Sequence, residues 1–389
     1  MTEVEGYVES GFEGVRDAFA ANFEQHGEVG AAFALHVEGR KVVDIWGGTA
    51  DVRSGRPYAE DTLQLVFSTT KGATAMCANL LAERGLLDVD APVAQYWPEF
   101  AQNGKESITV RMLLNHQAGL YTVDEAPRYA DTLRWDPIVD ALAAQAPLWE
   151  PGTEHGYHAV TYGWLVGEVV RRVTGRSIGA FFQEEFAAPL GLDFWIGLPK
   201  EHHERVAPLV PTDPPTDPAA RAMAEQLMGP DSVMGRALSC SGALNPDDGD
   251  DTMNFNRPDL WSAEVPAANG VTNARSLSRL YASLVGDGVD GIRTLAPETV
   301  ARATEPQDDF NDSVLMQLPT RFGLGFMLSS PFSPFGGPQR FGHPGAGGSV
   351  GFADPEKHLA FGYVMNKMQQ NLSGDPRTVT LIEQAYAAL

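Results

Sequence analysis

Val66-Phe67-Ser68-Thr69-Thr70-Lys71-Gly72 leads directly into Ala73-Thr74-Ala75-Met76-Cys77-Ala78-Asn79-Leu80-Leu81-Ala82-Glu83. Val66 and Phe67 close an extended apolar run, and the following pattern predicts a helix over 69–84, opened by Ser68. Residues three apart share one helix face, so the Ser68 hydroxyl and the Lys71 amine project together from the first turn. A desolvated ammonium loses its proton and then takes the proton of a neighbouring serine. Free N–H groups at the helix start stabilise an oxyanion formed at Ser68. The chain has lysine at only six positions, which makes Lys71 in this setting informative. The competing account is an N-cap serine followed by an exposed lysine, and the wider sequence has to decide between them.

Two other segments carry chemistry. In Glu150-Pro151-Gly152-Thr153-Glu154-His155-Gly156-Tyr157-His158-Ala159, a Pro-Gly turn leads to Tyr157, just before a helix predicted over 160–174. A tyrosine hydroxyl near a lysine serves as base and then as acid; a packing role is the alternative. In Phe341-Gly342-His343-Pro344-Gly345-Ala346-Gly347-Gly348-Ser349, the glycines admit close backbone approach, as beside a ligand, or form a plain turn. The strand that follows could supply a second oxyanion donor.

Strand signals sit at both chain ends. Residues 31–48 read as a hairpin turning at Glu38-Gly39-Arg40, after a helix within 9–25. Residues 349–353 and 359–366 read as strands joined by Asp354-Pro355-Glu356-Lys357, before a closing helix over 377–389. Between them lie helices at 69–84, 109–115, 135–145, 160–174 and 177–188. The expected fold class is α+β: an antiparallel sheet flanked by helices and built from both chain ends (1–75 and 262–389), with a mostly helical insertion over 76–261. The Pro- and Asp-rich stretch at about 206–260 is a linker or a lid.

With 389 residues, 43% hydrophobic, the chain is long enough for two domains and is neither disordered nor fibrous. A net charge of −23 opposes binding to nucleic acid or an anionic membrane and suits a small neutral or cationic ligand. No apolar run approaches bilayer length, and the acidic start does not read as a secretory signal. Cys77 and Cys240 are expected as free thiols in a reducing cytoplasm. Neither is part of a Cys/His cluster, so no metal is expected, and no phosphate loop or dinucleotide fingerprint calls for a cofactor; Gly323 and Gly325 lie in a strand-like stretch. Oligomeric state has no signature here. His202 and His203 are expected to be solvated and His116 structural, while His158 either lines the cleft or lies at the surface. Trp195 and Trp261 are candidates for an apolar acyl pocket, Trp164 for the core.

Taken together and in this order, the segments resemble the beta-lactamase-related serine hydrolases: class C beta-lactamases, D-alanyl-D-alanine carboxypeptidases and, nearest in pattern, the family eight carboxylesterases. Ser68-Thr69-Thr70-Lys71 is similar to the S-x-x-K motif. Residues 108–120 (ITVRMLLNHQAGL) resemble the family's "TVRHLLTHTSGL", Pro151-Gly152-Thr153 with Tyr157-His158-Ala159 its "PGT…YSN", Asn269 to Leu277 its "STARDL" helix start, and Arg321 to Phe326 its "YGLGW" strand. The resemblance implies Ser68 as acylated nucleophile, Lys71 and Tyr157 sharing base and acid duty, and the backbone N–H groups of Ser68 and Ala346 as oxyanion hole. It also implies a sheet domain beside a helical one, with the site in the cleft.

Two departures point to the substrate. His343-Pro344-Gly345 stands where beta-lactamases have K-T-G, which weakens an anion site around His343 and Gly345. Ala159 stands where Y-S-N has its amide. Both losses favour neutral esters with short to medium acyl chains over β-lactams and peptides. A beta-lactamase, a D-Ala-D-Ala peptidase, an acyltransferase working through the same acyl-enzyme, and a catalytically silent binding protein are the alternatives.

Overall fold

The computed structural model describes residues 2–212, 216–245 and 253–389. Strands β1 (Val4–Val8), β2 (Gly30–Val37), β3 (Arg40–Asp51), β4 (Arg56–Pro57), β5 (Gln64–Leu65), β6 (Phe194–Trp195), β7 (Val271–Thr272), β8 (Met327–Leu328), β9 (Phe341–Pro344), β10 (Val350–Asp354) and β11 (Leu359–Met365) form two sheets. The large one runs β1-β3-β2-β11-β10-β9-β8, with β4 on β3; the small one runs β5-β7-β6. Every pairing between these strands is antiparallel.

The two chain ends meet where β2 pairs with β11, Ala34 opposite Gly362 and Leu35 opposite Phe361. One sheet built from both ends is therefore what forms. The β2–β3 turn places Glu38 at φ +50° and Gly39 at φ +70°; two successive left-handed residues give the turn whose twist matches the flanking strands. Odd and even positions of β2 are buried alike, so both faces of the sheet are covered. Helix Ala274–Ala282 lies on one face, where Gly351 and Gly362 leave room for Leu277, Tyr281 and Ser278. Helices Glu13–Gln25 and Pro376–Ala387 pack on each other, and Phe23 of the first reaches Gly48 in β3.

The predicted helices occur as Thr70–Glu83, Val110–Leu114, Trp135–Ala144 and Thr161–Thr174, and 177–188 as Ile178–Phe182 running on through a π-helical turn to Leu190. The edge strand β1 was not expected; its pattern, VEGYV, has no buried face. The Pro/Asp-rich stretch is no bare linker. It carries helices Pro218–Met228, Val233–Ser239 and Pro258–Ser262, buries Cys240 and Leu244, and bonds to the body where Thr122 Oγ1 donates to Arg236 O at 3.1 Å. Residues 213–215 and 246–252 lie outside the described residues.

Candidate active site

The short strand β5 delivers the chain to a strained bend. Phe67 stands at φ +44°, a left-handed conformation that an aromatic residue rarely adopts. Thr70 N–H then bonds to Phe67 O and Lys71 N–H to Ser68 O, each at 2.9 Å. The regular helix starts at Thr70, two residues later than the serine that was expected to open it. In this bend Ser68 is half-buried while Val66, Phe67, Thr69, Thr70 and Lys71 are buried, so the hydroxyl is the part of the turn open to a ligand.

Lys71 has no solvent exposure, which excludes the exposed-lysine account. Its Nζ donates to the carbonyls of Ala159 at 2.6 Å and Ala267 at 3.0 Å, and lies 3.1 Å from Ser68 Oγ. Burial holds the amine well below the usual lysine range. A neutral amine has two hydrogens and one lone pair. The two carbonyls take the hydrogens, which leaves the lone pair for the Ser68 hydroxyl. Ala159, which stands where the resembled motif has an asparagine, thus meets Lys71 through its backbone oxygen. Ala267 O is held in a turn where the Asn269 side chain donates to Leu260 O and Ala263 O and accepts from Val265 N–H.

Tyr157 comes from 88 positions further along the sequence than Thr69, yet its ring centroid is 4.7 Å from Lys71 Nζ. Burial raises its phenol above the usual tyrosine range, while a hydrogen bond with Ser68 acts in the opposite direction. Hydroxyl, amine and phenol therefore share one cluster.

The glycine-rich turn leans on the segment around Ser68. Ser349 Oγ donates to Val66 O at 2.9 Å and accepts from Thr69 Oγ1 at 3.3 Å. A Cβ on Gly345 would fall 2.2 Å from Val66 O, so only glycine allows this approach. Neither the Ser68 N–H nor the Ala346 N–H has an acceptor among the described residues. His343 is buried and stacks on Tyr157, centroids 5.9 Å apart. Its Nδ1–H donates to Pro344 O at 2.7 Å, and Nε2 has no partner among the described residues. Burial first, then Lys71, pushes its pKa down to about 3, so it stays neutral beside the amine.

His158 neither lines the cleft nor lies at the surface. It is buried, accepts the Leu120 N–H at 2.9 Å through Nε2 and donates from Nδ1 to Gly156 O at 2.7 Å. His116 is structural as expected: buried, accepting the His158 N–H at 3.1 Å and packed 5.1 Å from the Tyr157 ring. His202 and His203 are half-exposed; His202 packs on Trp195 at 5.2 Å and His203 Nε2 bonds to Ser262 Oγ at 3.0 Å. Trp164 is core, and Trp261 is buried with its N–H on Phe255 O at 2.7 Å. Phe255 in turn packs 4.7 Å from Phe67. Sequence reasoning missed the layer beneath Tyr157: His155 bridges Asp308 Oδ1 (2.6 Å) and Thr320 Oγ1 (2.8 Å), next to Asp312. A histidine two residues before the tyrosine was its only local sign. Cys77 and Cys240 are buried free thiols. Among the described residues no group of three or more His, Cys, Asp or Glu side chains could hold a metal ion, and no helix is long and apolar enough to cross a membrane.

Fold and site together define a serine hydrolase of the beta-lactamase type. The family profile described as Beta-lactamase matches residues 15–385, and the chain belongs to that family. It is 37% identical over 376 residues to the esterase/beta-lactamase LipL of Mycobacterium tuberculosis, covering 93% of this chain and 83% of LipL. A crystal structure of a family VIII carboxylesterase superposes with a TM-score of 0.88 at 42% identity, covering all of both chains. A penicillin-binding protein homolog from Caulobacter crescentus superposes with a TM-score of 0.85 at 40% identity, again over all of both chains.

Proposed function

We propose that the protein is a carboxylesterase that cleaves neutral esters with short to medium acyl chains through an acyl-Ser68 intermediate. The observation that carries this reading is the placement of Lys71 Nζ, 3.1 Å from Ser68 Oγ with its hydrogens taken by two carbonyls. Ser68 Oγ attacks the ester carbonyl carbon and its proton passes to Lys71 Nζ. The carbonyl π-electrons move onto oxygen, and the Ser68 and Ala346 N–H groups receive that charge. On collapse the carbon–oxygen bond to the alcohol breaks. The leaving alkoxide takes a proton from Tyr157, which is replenished from Lys71. Water then attacks the acyl-serine along the reverse proton path and releases the acid.

His343 and Gly345 border the substrate in this reading. A buried neutral histidine offers no charge to a β-lactam carboxylate, which favours uncharged esters. The carboxylesterase neighbour and the name of LipL support the same class of substrate. Hydrolysis of p-nitrophenyl butyrate by wild type and by Ser68→Ala tests the reading, together with fluorophosphonate labelling. Loss of both activity and label in the variant is expected; a variant that keeps most of its activity rejects it. The second half of LipL's name, esterase/beta-lactamase, favours a second reading, hydrolysis of β-lactams, and nitrocefin turnover equal to ester turnover would put that reading first.

A further inference from the structure

Arg377 lies near the start of the C-terminal helix, has no solvent exposure, and uses all five of its N–H groups. Nε donates to Asp375 Oδ1 at 3.0 Å, and Nη1 to Glu28 Oε2 and Lys367 O, both at 2.9 Å. Nη2 donates to Asp375 Oδ2 at 2.7 Å and to Gly347 O at 2.6 Å. The last of these is the informative one, because Gly347 follows Ala346.

The turn around Ala346 is held at its base, where Gly345 N–H donates to Ser349 O at 2.6 Å, and Arg377 is the side chain that holds its tip. Gly347 stands at φ +82° and Gly348 at φ +131°, conformations in which glycine is free to move. Gly347 O takes one further donor, the Gln369 N–H at 3.2 Å, and Gly347 N–H donates to Asn371 O at 3.1 Å. Gly348 N–H donates back to Gly345 O at 3.2 Å, which sets the plane of the Gly345–Ala346 peptide and so the direction of the Ala346 N–H. Gly348 itself sits against the ion cluster: a Cβ there would fall 2.4 Å from Arg377 Nη2 and 2.5 Å from Asp375 Oδ2.

We propose that Arg377, clamped by Glu28 and Asp375, is a positioning residue that aims the Ala346 N–H at the oxyanion. The inference rests on the reading of Ala346 as an oxyanion donor. A planar fork suits the task, because it grips two carboxylates and two carbonyls at once. An ammonium at this position has three donors and no fixed plane. Anchoring of the C-terminal helix is the rival role, and the two differ in what they change. An anchor alters stability, whereas an aimed donor alters transition-state binding.

The test compares wild type, Arg377→Lys and Asp375→Asn on p-nitrophenyl butyrate. Inhibition by butylboronic acid, which forms a tetrahedral anion on serine, is measured in parallel with the melting temperature. In a folded Arg377→Lys, kcat falls about a hundredfold, the usual cost of one oxyanion donor, and boronate affinity falls with it. KM stays within about threefold, because the ground state loses nothing. Unchanged kcat, or a kcat loss without weaker boronate binding, overturns the proposal. If Arg377→Lys does not fold, Asp375→Asn decides by the same readouts. Should neither fold, the phosphonate adduct of the wild-type protein decides: the phosphonyl oxygen on the Ala346 N–H supports the role, and an oxygen turned away from it removes the role. A wild type that takes no fluorophosphonate at Ser68 rejects the site reading itself. A labelled Ser68 with unaltered kcat in Arg377→Lys rejects only the part assigned to Arg377.

Discussion

Asp312 Oδ1 accepts the backbone N–H of Tyr157 at 3.0 Å, and with it the N–H groups of Val314 (3.0 Å) and Leu315 (2.9 Å). Its second oxygen accepts from Thr320 Oγ1 at 3.1 Å. A fully buried carboxylate therefore fixes the segment that presents the phenol. Removing it leaves four donors unsatisfied. Asp312→Ala is expected to lose about 3 kcal/mol in urea unfolding and to lose kcat. Asp312→Asn keeps one amide oxygen for the three N–H groups and is expected to stay within about 1 kcal/mol of wild type. Equal stability of the two variants would contradict this account.

Lys71 predicts the acid limb of the pH profile. Its amine acts as base only when neutral, so kcat/KM falls as pH drops through the lowered pKa of the buried group. Tyr157 is raised by burial, so it keeps its proton on the alkaline side and no limb from a phenolate base is expected there. His343, at about 3, is neutral throughout the working range and contributes no limb. Lys71→Arg places a group that stays protonated beside Ser68. It is expected to slow fluorophosphonate labelling by about a thousandfold, the scale of a lost general base. A profile flat from pH 5 to 9 under chemistry-limited turnover, or a labelled Lys71→Arg, would remove the lysine from this role.

Local pattern carried much of the architecture. Helical period and turn residues located the main helices and the hairpin, and the strands at the two ends called for a shared sheet. The proximity of Ser68 and Lys71 was legible because they are three residues apart at a helix start, where spacing implies contact. Tyr157 was legible through its motif. What stayed hidden was set by long-range packing. Nothing near Ala267 announces that its carbonyl, 196 positions from Lys71, receives an amine hydrogen. Asp308 and Asp312 sit among other acidic residues of a loop, and only the fold singles out the two that meet His155. His158 followed a tyrosine in a cleft motif, yet its ring serves the backbone of Leu120. Phe67 is an ordinary apolar residue in sequence, and its left-handed backbone is imposed by the bend.

That bend gives an inverted order of substitutions. Phe67 is buried against Phe255 at φ +44°, so any truncation removes ring packing. Alanine keeps the unfavourable conformation, whereas glycine relieves it. Phe67→Gly is expected to be more stable than Phe67→Ala by about 1 kcal/mol, the reverse of the usual ranking outside turns. Thermal unfolding of both variants checks this, and an alanine variant that melts higher would show that the backbone there is unstrained.

Buried neutral histidines set the acid sensitivity of the fold. Burial pushes His36 down to about 4 and His158 and His343 to about 3, and places His116 well below its usual value. In the unfolded chain each titrates near 6.5. Between these values the unfolded state binds more protons than the folded one, so stability falls as pH drops below about 6.5 and continues to fall toward the folded values. Glu28 and Asp312, raised by burial, act in the opposite sense between their folded values and the ordinary carboxylate range, because there the folded state binds more protons. The urea midpoint is therefore expected to decline from pH 7.5 to 4.5. In His36→Asn, where the amide can still meet Ser278, the histidine's partner at 2.8 Å, the decline should be shallower by one proton's share. A midpoint that holds level across that interval would mean that these rings are protonated, and accommodated, inside the folded protein.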